Sequence, residues 1–198
     1  MKSSAEEQEL KERLQLIEQM IAEGRRTTES WGWLFVFWGV AYYVAIAWST
    51  WGHSALAWPI TMIVASVLCS VLAMRIMSRR PETTMGRAIA AVWIGMGISI
   101  FLLLMSLATT GRYESHTFLA IIGAMLGASN ATSSIILKWK MQFGCAIVWW
   151  AAAVMGAFGS ETVGSIAFLA AIFICQILFG FYGMVCERRE HTRSGAHA

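Results

Sequence analysis

Aspartate is missing from this 198-residue chain, and there are only two prolines and four cysteines. The absence of aspartate excludes mechanisms that need an aspartate dyad or an aspartyl phosphate. The cysteines, Cys69, Cys145, Cys175 and Cys186, show no C-x-x-C pairing. Paired spacing is what a zinc or redox site asks for, so they are expected as buried packing residues. Charged residues make up only 14% of the chain, and none of them, nor any histidine, falls in the middle of a long apolar run. Ionisable groups inside a membrane mark proton relays, ion pathways and voltage sensors. Their absence argues against a proton- or sodium-coupled carrier. No H-E-x-x-H, G-x-S-x-G, P-loop or G-x-G-x-x-G pattern occurs, and Gly95-Met96-Gly97 lacks a third glycine. The sequence therefore predicts a protein without a catalytic centre, resident metal or cofactor.

What the chain does contain is apolar sequence: 57% hydrophobic residues and a mean hydropathy of +0.58. Those values lie outside the range of soluble domains. Roughly 20 apolar residues cross a bilayer as a helix. Six such spans are predicted at about Trp31–Thr50, Leu56–Met77, Ala88–Ala108, Thr117–Leu137, Met141–Phe158 and Thr162–Val185. The runs are continuous rather than alternating, which favours helices over a β-barrel. Pro59 falls in a first helical turn, where its missing N–H costs little. Arg79, Arg80 and Pro81 are expected to end the second span, and Glu187, Arg188 and Arg189 the sixth. Lys138-Trp139-Lys140 is read as a tight hairpin, because a merged fourth and fifth span would exceed any bilayer.

Fourteen of the fifteen lysines and arginines lie in the N-terminal segment, in alternate connections or in the tail, with Arg112 the exception. This bias predicts six spans with both termini in the cytoplasm. It also explains the net charge of +3 without nucleic acid as a partner. Trp31, Trp33, Trp48, Trp51, Trp58 and Trp139 fall near expected interfaces; Trp38, Trp149 and Trp150 lie deeper, where an indole N–H needs a carbonyl. No signal-peptide pattern precedes the first span, and the short turns suit a bacterial inner membrane. The expected fold is all-α: a cytoplasmic amphipathic helix over residues 1–28, six transmembrane helices as three consecutive hairpins over 29–186, and a flexible cytoplasmic tail over 187–198.

Two features stand out from this plain frame. In the N-terminal helix, Ser4 and Glu7 form a capping-box pattern and Gly24 a stop signal. Between them Leu10, Leu14, Ile17 and Ile21 recur at spacings of four, three and four, an a/d stripe. Residues 1–28 carry five basic and six acidic side chains, too balanced for attraction to an anionic leaflet. Packing on another helix is expected instead, in a homo-oligomer or on a cytoplasmic partner protein. In the fourth span, Gly123, Gly127, Asn130 and Ser134 form a small and polar stripe, with Ser133 beside it and Gln176 in the sixth span. A helix-packing seam explains the stripe most simply, since Gly-x-x-x-Gly admits a neighbouring backbone. The sharper reading is a cavity, open to the cytoplasm, where Asn130, Ser133 and Gln176 meet a small polar solute. A rim site from His53, His116 and Glu161 is the least supported, because three loops share no spacing rule.

These features predict a membrane-embedded interaction or regulatory subunit with the lipid bilayer as its medium, or alternatively a facilitator or small channel for a neutral or weakly polar solute.

Overall fold

A computed structural model describes residues 2–29, 31–54, 56–77, 84–110 and 114–195. All regular structure among them is helical: α1 (Lys2–Glu29), α2 (Gly32–Gly52), α3 (Ala57–Met77), α4 (Thr84–Thr110), α5 (Ser115–Leu137), α6 (Lys140–Phe158), α7 (Glu161–Ile172) and α8 (Phe179–Gly195). A π-helical turn, Phe173–Leu178, joins α7 to α8. Six helices are long and apolar enough to cross a membrane, the sixth being continuous over Glu161–Cys186. The chain is thus a multi-pass helical membrane protein.

The helix boundaries follow local chemistry. Ser160 caps α7 by accepting the Val163 N–H at 3.3 Å. Lys138 ends α5 in the left-handed region at φ 50°. Its N–H donates to Ile135 O at 3.3 Å, and the Trp139 N–H to Ser134 O at 3.0 Å. That pair of bonds is a Schellman stop, here on a lysine instead of the usual glycine. It turns α5 back into α6 within two residues.

Two expected boundaries differ. α1 begins before Ser4 and runs through Gly24 to Glu29. A helical glycine costs about 1 kcal/mol relative to alanine, and α1 packs on α4, α5 and α8. α8 likewise passes Glu187, Arg188 and Arg189 and stays helical to Gly195. Those charges end the apolar run, but Glu and Arg are good helix formers. Arg79, Arg80, Pro81 and Arg112 lie outside the described residues.

The six spans are packed unevenly. Half of the α5 span is buried, 39% of α6 and 44% of the last span, against 11% for α3 and for α4. α5 and α6 form the most intimate antiparallel pair, α7 lies on α6, and α2 lies beside the last span. α3 packs chiefly on α2, and α4 on α5 and α1. The α2–α8 crossing is backbone to backbone: a Cβ at Gly32 would lie 2.6 Å from Gly180 O, and one at Gly180 2.7 Å from Gly32 O. Tyr43 extends this seam by donating to Leu169 O at 3.0 Å. Aromatic edges fill the centre: Phe35 meets Trp93 at 5.4 Å and Phe179 at 5.3 Å, and Trp149 meets Phe168 at 5.5 Å. Trp139 is not in a lipid-facing belt; it is buried and sits 5.1 Å from Phe179, because the tight turn folds it back over the bundle.

Candidate functional site

The small and polar stripe of α5 divides into two parts. Its glycine half is a contact seam with α6. A Cβ at Gly123 would lie 3.0 Å from Ala153 Cβ, and one at Gly127 would lie 2.3 Å from Trp150 Cδ1. Any larger side chain at Gly127 requires the Trp150 ring to shift.

The polar half lies one turn closer to the Lys138 connection. Extending the register of the glycine contacts sets Asn130 opposite Ala146 and Ser134 opposite Gln142. Asn130 is 1% exposed, Ser133 0%, Gln142 0% and Gln176 3%, with Ser129 and Ser134 also buried. Asn130 Nδ2 donates to Leu126 O in its own helix at 2.9 Å. Asn130 Oδ1, Ser133 Oγ, both polar atoms of Gln142 and Gln176 Oε1 have no hydrogen-bond partner among the described residues. Trp149, at the centre of α6, also keeps an indole N–H without a partner among them, in place of the carbonyl expected for it. A buried polar group left unpaired costs about 1–3 kcal/mol. Polar atoms on α5, α6 and the last span are thus buried without a partner among the described residues.

The π-helical turn positions the contribution of the last span. The Phe179 N–H reaches Ile174 O, five residues back. The widened turn lies against α2, where Gln176 Cβ comes within 2.9 Å of a Cβ built on Gly39. On its other side the Cys175 thiol donates to Cys145 O at 3.5 Å. Gln176 adjoins Cys175 in sequence, and Gln142 lies one turn from Cys145. The Cys175–Cys145 contact therefore sets the π turn beside α6. Such turns recur at functional sites in helical proteins.

From the connection side, an open cleft of about 450 Å³ is lined by Ser134, Lys138, Trp139, Lys140 and Phe143. Ser134, a member of the polar stripe, is the residue of that stripe that lines the cleft.

Sequence reasoning missed Gln142, which reads as an interface residue at the start of a span. The signal lay in its spacing: Gln142, Cys145, Ala146, Trp149, Ala152, Ala153 and Gly156 form one buried face. It also missed the approach of Cys145 to Cys175 and the π turn, for which the apolar run around Gln176 gives no cue.

The rim residues serve local structure. His116 Nδ1 pairs with Gly156 O at 2.9 Å, Glu114 accepts from Thr117 at 2.9 Å, and His53 ends α2 in the left-handed region. Among the described residues no three His, Cys, Asp or Glu side chains gather closely enough to share a metal ion.

The stripe of α1 lies elsewhere. Leu10, Leu14 and Ile17 are 59%, 53% and 52% exposed, and Ile21 is half-buried. Glu7–Lys11 at 3.0 Å and Glu9–Arg13 pair along the exposed helix.

No family model matches the chain, and neither a curated protein nor a solved structure matches it.

Proposed function

We propose that this chain is a non-enzymatic interaction or regulatory subunit of a bacterial inner membrane. Both termini lie in the cytoplasm, and the six spans run as three consecutive hairpins behind an amphipathic cytoplasmic helix. The observation that carries the reading is the outward apolar stripe of α1. Leu10, Leu14 and Ile17 stay half exposed after the protomer has folded, on a helix where Lys11 pairs with Glu7 and Arg13 with Glu9. An isolated helix of this kind is marginally stable in water. Burial against another helix removes that apolar surface from water, at about 25 cal/mol per Å². The balanced charge of residues 1–28 favours a protein partner over the anionic leaflet. Deleting residues 1–24 is expected to lower the native mass of the complex extracted from membranes while insertion is preserved. An unchanged mass with normal insertion would falsify this reading.

The buried polar atoms support a second reading, a facilitator for a small neutral or weakly polar solute. Asn130 Oδ1, Ser133 Oγ, both polar atoms of Gln142 and Gln176 Oε1 have no partner among the described residues, and the cleft at Ser134 supplies a way in. The absence of charge in the spans suits a neutral solute. Asn130→Leu should lower glycerol or urea flux into reconstituted vesicles without loss of folding. Flux no higher than in protein-free vesicles would remove this reading for those solutes.

A further inference from the structure

We propose that the partner of α1 is α1 of a second copy of this chain, paired in parallel as a short coiled coil. This rests on the interaction reading above and names its partner.

The heptad register follows from the spacing of the stripe, on a helix exposed throughout residues 7–20 with Ile21 half-buried. Leu10 and Ile17 take d positions and Leu14 and Ile21 take a positions, giving four apolar layers. The seam is bounded on both sides: the preceding a position is Glu7 and the following d position is Gly24. The flanking positions decide the partner. Glu6 and Arg13 fall at g, and Lys11 and Glu18 at e. In a parallel pair each g residue faces the e residue five positions later on the other helix. Glu6 then faces Lys11, and Arg13 faces Glu18. Both pairs are opposite in charge, and two-fold symmetry makes each of them twice. An antiparallel pairing with the same layers opposes Lys11 and Glu18 but sets Arg13 against Met20, so only one kind of ion pair forms. Glu18, Lys11 and Arg13 all lie on the exposed surface of α1.

Two copies inserted with one topology are related by an axis along the membrane normal, and helices that run along such an axis pair in parallel. Four layers are marginal for free peptides. Anchored chains meet at a raised effective concentration, which offsets that weakness.

The test uses the full chain in membranes under mild oxidation, with the unsubstituted protein and its four cysteines as the blank. Ile17→Cys, at a d position, is expected to give a disulfide-linked dimer. Gln19→Cys, at the outward f position, is expected to stay near the blank. Glu18→Arg in the Ile17→Cys background sets like charges across the pair and removes no pair within the helix. It should lower the dimer yield roughly threefold, as exposed ion pairs of a few tenths of a kcal/mol each imply. Adding Arg13→Glu should restore it. Equal yields at positions 17 and 19, no dimer at 17, or indifference to Glu18→Arg would overturn the proposal. Thermal melting of each variant separates a lost pair from a lost fold. If Ile17→Cys gives no dimer while deletion of residues 1–24 still lowers the native mass, self-pairing fails and the interaction reading stands with a different protein as partner.

Discussion

Serines in two regions of this molecule meet the same physical problem with opposite results. On α3 and α4 they face outward and bond to their own helix: Ser70 donates to Ser66 O at 2.8 Å and Ser99 to Gly95 O at 2.9 Å. A hydroxyl exposed to hydrocarbon has no other source of partners. On α5, Ser133 is fully buried, yet its Oγ has no partner among the described residues. Self-satisfied polar groups are compatible with lipid, whereas unpaired ones need something inside the bundle to bind. The contrast follows packing, since half of the α5 span is buried against 11% of α3 and α4. The closely packed part therefore holds the polar chemistry, and the thinly packed part faces outward.

The comparison is broken most strongly at its glycines. Gly127→Val is expected to destabilise the bundle by about 1–3 kcal/mol, the cost of overpacking, because the added carbon falls on Trp150. Gly95→Val, where a Cβ meets nothing within 4 Å, should leave the melting temperature in detergent unchanged. Equal losses at the two sites would show that α4 is as closely packed as α5.

A smaller and opposite effect is expected at Gln142. Removing an amide whose two polar atoms lack partners among the described residues relieves a desolvation penalty, so Gln142→Leu should be neutral or stabilise by about 1 kcal/mol. A loss of 2 kcal/mol or more in a denaturation series would reveal a protein hydrogen bond that the account does not contain. The smallest effect is expected at Ser99→Ala, which removes only a bond within one outward-facing helix turn. It should change stability by less than about 0.5 kcal/mol. A larger change would mean that α4 is covered by a neighbour.

Much of this architecture was legible before the structure. Charge and hydropathy located the six spans to within a few residues, because charged groups cannot remain in hydrocarbon. Gly123 and Gly127 announced a close approach, since their spacing has few other uses. The turn at Lys138 was expected from length alone. Other features depend on tertiary packing and leave no local trace. Trp139 reads as an interfacial residue, and only the Schellman turn folds it inward. Gln142 reads as a span boundary, and only its neighbours Cys145 and Trp149 put it on the buried face. The π turn lies in an unbroken apolar run that an ordinary helix also satisfies. Gly24 reads as a helix stop but does not outweigh the helical preference of its surroundings, whereas the Glu187–Arg189 cluster does end the apolar span, at Cys186, while the helix runs on.

The central claim is that α1 reaches outside the protomer. A photo-crosslinking amino acid placed at Leu14, on the exposed stripe, tests it in intact membranes, with Gln19 on the opposite face as the control. The account predicts a discrete protein adduct from position 14 and little or none from position 19. Lipid adducts alone at position 14, or equal protein adducts at both positions, would contradict it.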